Sequence, residues 1–283
     1  LPGDADLNKT ADFTDLGILL NNYDQPGVWS QGDVNYSGQV DFTDLGMLLN
    51  NYDQSLPLAV AAQPVPEPSG LLLAFAAALA ARGIVRGDRV LIRTWNCHEF
   101  AIAFLALAKI GAVAVTQNTA AGVADVAYVL EHSDAVAAVA LDEQAAPLRE
   151  LKAKLPKGLI VARGARASEI RFEDMIVAGT IETADTAADE PAFMCYTSGT
   201  TGRPKGIRHA HRFIVARGDA NRMRVPPLPG DVVMAAGEWS FISLLGHNVL
   251  FALRNGVTCA AMEGRPTPER FLEGIDRFKV TVG

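Results

Sequence analysis

The stretch Tyr196-Thr197-Ser198-Gly199-Thr200-Thr201-Gly202-Arg203-Pro204-Lys205-Gly206 constrains this chain more than any other. It follows the apolar run Ala192 to Tyr196, which reads as a buried strand. Three glycines and a proline stop that strand from continuing and force a loop. The residue types that remain suit one task. Glycines let backbone N–H groups come close to an anion, Ser and Thr hydroxyls add donors, and a lysine adds charge. Thr197, Ser198, Gly199, Thr200, Thr201, Gly202, Lys205 and Gly206 are therefore candidates for gripping a polyphosphate. A Walker loop is excluded, because it needs Gly-Lys-Ser/Thr opening a helix.

The surrounding text alternates. Arg82 to Ile92 reads as a turn entering a strand, Glu99 to Ile110 as a helix and Ala112 to Val115 as a strand. Val123 to His132 is again helical, and Ala135 to Leu141 is a strand. Strands alternating with helices predict a layered α/β domain.

Charge divides the chain. Up to Ala81 the only basic residue is Lys9, against ten acids; the remainder holds 24 basic and 22 acidic residues. A break this sharp predicts two modules of different character. The net charge of −7 and the lack of a basic cluster argue against nucleic acid as a partner. Cys97, Cys195 and Cys259 all fall in the second part and form no disulfide framework. Cys195 reads as a small buried apolar residue rather than a reactive thiol.

The acidic part is a duplication at an offset of 29 residues. Phe13-Thr14-Asp15-Leu16-Gly17 returns as Phe42-Thr43-Asp44-Leu45-Gly46, and Leu19 to Gln25 as Leu48 to Gln54. Oxygen-bearing side chains stand at positions 1, 3, 5, 9 and 12 of each twelve-residue loop. They are Asp4, Asp6, Asn8, Asp12 and Asp15, then Asp33, Asn35, Ser37, Asp41 and Asp44. A hard cation such as Ca2+ takes six to eight oxygens, and a tightly wound loop supplies them at this spacing. Gly38 at position 6 permits the turn; Lys9 stands there in the first loop and predicts a weaker site. Leu16, Leu19, Leu20 and Tyr23 recur with Leu45, Leu48, Leu49 and Tyr52 at helical spacing, predicting an amphipathic helix after each loop.

Loop and helix, twice over, resemble a type I dockerin across residues 2–55, departing at Lys9 and in the linker that holds Trp29. The resemblance implies Ca2+ binding, a cohesin-like protein partner and an extracellular or cell-surface setting. The fold class expected is thus mixed: a small all-α EF-hand-like calcium-loop repeat (1–57), followed by an incomplete layered α/β domain (81–283). Residues 58–80 between them read as a Pro/Ala linker with an apolar end. Val65-Pro66-Glu67-Pro68, the apolar run 70–81 and Arg82 resemble a PEP-CTERM sorting tail. Twelve helical residues rise about 18 Å against roughly 30 Å of hydrocarbon, so no membrane-spanning helix is expected. A buried core helix fits the folded state better. No export leader is read at the N-terminus.

The order Ser-Gly-Thr-Thr-Gly-x-Pro-Lys-Gly resembles the signature of the adenylate-forming (AMP-binding) superfamily, which includes acyl- and aryl-CoA synthetases. Arg86 to Val90, Phe104 to Val113, Glu238 to Phe241 with Gly246-His247, Leu253 to Thr258, and Pro268 to Phe278 extend the resemblance over residues 81–283. It implies ATP, Mg2+ and coenzyme A, a carboxylic acid substrate, and a cytoplasmic setting for this part. Ser198, Thr200, Thr201 and Lys205 would hold the β- and γ-phosphates. Trp239 and His247 would contact the acyl group, with ordinary core packing left open for Trp239. The family's adenine, ribose and lid motifs do not occur, so the expectation is a ligase fragment without a complete catalytic set, inactive alone. A calcium-dependent binding module, or a chimeric junction of the two near residue 80, stands as the alternative.

Overall fold

The computed structural model describes residues 3–6, 10–35, 37–53, 70–176, 179–197, 203–222, 224–265 and 267–283. It divides into two compact units, 1–67 and 68–283.

In the first unit the duplication becomes two helices, α1 (Phe13–Asn21) and α2 (Phe42–Asn50). The sequence Asp-Phe-Thr-Asp explains where each begins. Asp12 accepts from the Thr14 amide at 2.7 Å, and Asp15 accepts from the Asp12 amide at 2.8 Å. Asp41 and Asp44 repeat this at 2.7 and 2.9 Å. These reciprocal bonds satisfy donors that a helix start leaves free. Leu19, Val40 and Leu48 form the buried centre.

The halves interlock reciprocally. Gly3 and Gly32 have φ of +100° and +103°, and a Cβ there would fall 2.7 Å from Leu48 Cα and 2.8 Å from Leu19 Cα. Only glycine fits both the backbone angle and the space. Asp24 donates its amide to the Val40 carbonyl and Asp53 to that of Ala11, at 2.8 and 2.9 Å. The expected apolar stripe needs correcting, however. Leu20 and Leu49 are more than half exposed, and Tyr23 and Tyr52 lie past the helix ends, because each helix has only nine residues.

The second unit opens with α3 (Gly70–Ala81), then β1 (Arg89–Arg93), α4 (His98–Lys109), β2 (Val113–Thr116), α5 (Val123–Ser133) and β3 (Ala135–Leu141). It continues through α6 (Ala146–Glu150), β4 (Leu159–Ala162), β5 (Ile170–Arg171), β6 (Pro191–Thr197), β7 (Lys205–Ala210) and α7 (His211–Arg222). The last elements are β8 (Val232–Val233), α8 (Ile242–Leu245), a π-helical turn (Gly246–Leu250), α9 (Phe251–Asn255), β9 (Thr258–Cys259) and α10 (Pro268–Phe278). Seven strands form one sheet in the order β5-β4-β3-β1-β2-β6-β7. Its pairings are parallel apart from the β6–β7 hairpin, so the sheet is mixed. The near-continuous apolar strands match a sheet covered on both faces. Helices α3 and α4 cover one face, and α5 and α6 the other.

The stretch 70–81 belongs to this unit, which moves the expected boundary at residue 81 forward. Helix α3 is apolar all round, and such a helix must be buried on most sides. Phe75, Ala76 and Leu79 have no exposed surface, and the Phe75 ring lies 4.4 Å from that of Phe172. The apolar half of the sorting-tail resemblance is therefore core. Val65 to Pro68 lie outside the described residues. Among the described residues, no helix is long and apolar enough to cross a membrane.

Candidate functional site

Strand β6 runs parallel to β2, with Thr116 beside Cys195, so Thr197 sits at the sheet's carboxyl edge. Ligands of open α/β sheets bind at that edge. Strand β7 returns antiparallel, pairing Thr197 with Lys205 and Tyr196 with Gly206. Strands β6 and β7, which precede and follow the Ser-Gly-Thr-Thr-Gly run in sequence, thus form a hairpin at this edge. Thr197 and Lys205 flank its base, both exposed. Ser198, Gly199, Thr200, Thr201 and Gly202 lie outside the described residues. Gly206 sits opposite Tyr196 in the β6–β7 pair. A Cβ there would meet Met194 Sδ at 2.9 Å and Tyr196 Cζ at 3.0 Å, so its bareness accommodates the Tyr196 ring.

Polar side chains that follow the strands converge at the same edge. Arg93, at the end of β1, is buried and donates to the carbonyls of Gln144, Asn118, Thr119 and Ala121 at 2.6–3.2 Å. Burial pulls its pKa down and the nearby Glu238 pushes it back up. Glu238 is itself buried, accepting from the Thr119 amide (3.0 Å), the Thr119 hydroxyl (2.7 Å) and the Ser240 hydroxyl (3.2 Å). Asn96 donates to the Gly237 carbonyl and accepts from the Trp239 amide, at 2.6 and 2.8 Å. Gln117, buried one residue beyond β2, has no hydrogen-bond partner at either side-chain atom among the described residues. Sequence reading missed these residues. The available signal was a polar run directly after an apolar strand, as in Arg93 to Asn96 and Thr116 to Thr119.

Trp239 is a core residue. It is 4% exposed, its indole N–H donates to Asn248 Oδ1 at 2.6 Å, and its ring meets Phe100 edge-on at 5.6 Å. Asn248 in turn donates to the Val233 carbonyl at 2.7 Å. His247 is half-buried in the π-turn, stacked 6.2 Å from Phe251, its pKa lowered by burial and by Arg217. Neither residue lines the cavity of about 380 Å3 nearby, whose walls include Asn96, Gly237, Glu238, Met262, Arg270 and Phe271. Arg163 ties the loop beside it to the sheet. It grips Glu99 at 2.6 and 2.8 Å and Glu263 at 2.8 and 2.9 Å. Cys195 is buried, and burial pushes its thiol up to about 11, which leaves it unreactive.

In the repeat, carboxylate oxygens of Asp4, Asp6 and Asp15 lie within 4.8 Å of one another, close enough to share a cation. Asn8 lies outside the described residues. Asp12 and Asp41 serve as helix caps in addition to standing in the candidate ligand set. In the second loop Asp33 accepts from the amides of Ser37 and Gly38, both at 2.9 Å, and Asn35 accepts from Ser37 at 2.8 Å. Asp44 accepts from the amides of Val34 and Asn35 at 2.9 and 3.1 Å. These bonds wind the loop around its own side-chain oxygens.

The family model for the AMP-binding enzyme matches residues 71–283. The 3-hydroxybenzoate–CoA ligase of Aromatoleum sp. (strain CIB) is 35% identical over 213 residues, which are 72% of this chain and 40% of that one. The 3-hydroxybenzoate–CoA/4-hydroxybenzoate–CoA ligase of Thauera aromatica is 34% identical over 212 residues, with the same coverage. Among solved structures, an anthranilate CoA ligase in complex with anthranoyl-AMP superposes with a TM-score of 0.71 at 27% identity, over 75% of this chain and 42% of that one. The chain spans about two fifths of the length of the curated relatives it matches.

Proposed function

Because this chain belongs to the AMP-binding enzyme family, we propose that residues 70–283 supply the polyphosphate-gripping part of an acid–thiol ligase for aromatic carboxylates. One observation carries this reading: the strands on either side of the Ser/Thr/Gly run pair as a hairpin at the carboxyl edge of a doubly covered sheet, with Thr197 and Lys205 exposed where they end and begin. In the reaction, a carboxylate oxygen attacks the α-phosphorus of ATP, and the bond to pyrophosphate breaks. A thiol, that of coenzyme A, then attacks the acyl carbon, and AMP leaves. Mg2+ would accompany the phosphates and offset their charge.

The chain's own residues position and neutralise. Thr197 and Lys205, with Ser198, Thr200 and Thr201, would offset the charge that builds on the leaving pyrophosphate, where preorganised donors are worth most. Arg93 and Glu238 fix the turn after β2, the strand beside the hairpin, and Arg93 also holds the turn after β3. The acyl group's neighbours are then sought among the cavity residues and His247 rather than at Trp239. The aromatic class of substrate follows the names of the relatives. ATP–pyrophosphate exchange with benzoate and hydroxybenzoates tests the reading. The 283-residue polypeptide alone, at two fifths of its relatives' length, is expected to give no turnover. The same span within a full-length ligase is expected to give exchange that Lys205→Ala abolishes; undiminished exchange in that variant would refute the assignment.

A second reading concerns the repeat: a calcium-loaded, dockerin-like module that docks a cohesin-like protein. The clustered carboxylates favour it, as do the matched exposed side chains Phe13 and Phe42 (76% and 75%) and Leu20 and Leu49 (54% and 55%). Calorimetry of the full chain with Ca2+ tests it, and no saturable heat at millimolar Ca2+ would rule it out. If the two units were joined from separate genes, the join falls before residue 70 rather than near 80. Reading genomic DNA across residues 54–71 checks this.

A further inference from the structure

The β6–β7 hairpin is tied to one face of α5 at both of its limbs. On β6, the Tyr196 hydroxyl lies 2.8 Å from His132 Nδ1. The Tyr196 ring meets those of His132 and Tyr128 edge-on, at 5.7 and 6.5 Å. Tyr128 and His132 stand four residues apart on α5, hence on one face, with their rings 5.3 Å apart. On the other limb, the Arg203 guanidinium lies 5.2 Å from the centre of the Tyr128 ring. The Tyr196 ring occupies the space that any Cβ at Gly206 would enter, 3.0 Å from Cζ. A glycine inside a strand weakens it, and an aromatic ring laid across the glycine restores packing.

We propose that Tyr196, seated on Gly206 and hydrogen-bonded to His132, is a positioning residue that sets the angle of the β6–β7 hairpin and so places Thr197 and Lys205 for the polyphosphate. This rests on the polyphosphate reading above. It gives the last glycine of the motif a packing role in place of a phosphate contact. Tyr128 and Arg203 complete the brace from the second limb. Burial pushes the Tyr196 phenol up to about 12, so the hydroxyl keeps its proton across the physiological range.

The test uses the full chain with Tyr196→Phe, which keeps the ring and removes only the hydroxyl, and with His132→Ala and His132→Gln. Gly206→Ala supplies the harsher perturbation. Backbone amide hydrogen exchange is read at 205–208 and across β1 to β3, without ligand, and MgATP affinity is read by calorimetry. In Tyr196→Phe and His132→Ala, exchange at 205–208 should rise roughly two- to ten-fold, as loss of one hydrogen bond allows. Exchange in β1 to β3 should stay as in the wild type, and MgATP affinity should fall by a similar factor. His132→Gln, which keeps a hydrogen-bonding group, should recover part of both. Wild-type exchange at 205–208 in Tyr196→Phe would overturn the proposal, as would an equal rise across β1 to β3. A wild-type chain that gives no heat with MgATP, yet shows the local exchange effect, would sink the polyphosphate reading. The brace would then be structural only.

Discussion

The two units solve the problem of burial in opposite ways. The α/β unit packs apolar layers on both faces of a seven-stranded sheet, with buried rings such as Phe75, Phe100, Phe104 and Phe193. Among the described residues, the repeat's hydrophobic cluster is small, centred on Leu19, Val40 and Leu48, and it organises its loops around carboxylates that accept backbone amides. So small a core leaves a domain marginal without an added staple, and a bound cation is one such staple. The contrast teaches that one unit should respond to core mutation and the other to Ca2+.

The sharpest way to break that contrast is Phe75→Ala. Removing a fully buried ring that packs on Phe172 should cost the α/β unit about 3–5 kcal/mol. Urea denaturation followed by the fluorescence of Trp95 and Trp239, with Trp29→Phe in the background to silence the other unit, would measure this, and an unchanged midpoint would return α3 to the linker. Next in size is the response to Ca2+. A cation at one hundred times its dissociation constant should stabilise the repeat by about 2.7 kcal/mol. Residue-resolved hydrogen exchange at α1 and α2 with and without chelator reads it, while α4 and β3 stay constant. Smaller again is the loss of a cap. Asp41→Ala should destabilise α2 by about 1 kcal/mol, seen as faster exchange at Thr43 and Asp44.

The smallest expected effect is one of acid. Burial pushes the pKa of Glu99 up, but its hydrogen bonds to Arg163 and further neighbours outweigh burial, and the net shift is down. A depressed folded-state value means the contribution is complete above the ordinary glutamate range near 4.3 and is lost as pH falls below it. The α/β unit should therefore melt a few degrees lower at pH 3.5 than at pH 6, and Arg163→Ala should flatten that dependence.

How much of this the sequence disclosed depended on how local the cause was. The break at the end of β6 was legible because glycines, hydroxyls, a proline and a lysine are crowded together after an apolar run. The α/β alternation was legible because strands such as Ala135–Leu141 are apolar throughout. The duplicated loops were legible because an offset of 29 residues persists in identical side chains. Helix α3 was legible as a buried core helix from its apolar length, but its membership of the α/β unit was not, since a helix apolar on every side carries no periodicity and Pro-Glu-Pro precedes it. The antiparallel turn at β7 left no mark either, because Lys205 to Ala210 is a half-exposed strand without alternation. Arg93, Asn96 and Glu238 find partners 25 to 143 residues away, which no local pattern reveals.

At the centre stands the β6–β7 hairpin at the carboxyl edge, with Thr197 and Lys205 at its strand ends. Calorimetric titration of the full chain with MgATP, next to Lys205→Ala, examines it most directly. Saturable heat in the wild type and an affinity roughly ten- to a hundred-fold lower in the variant are expected, the range for a charge-assisted hydrogen bond. Equal affinities, or no heat from the wild-type chain, would contradict a polyphosphate grip at this edge.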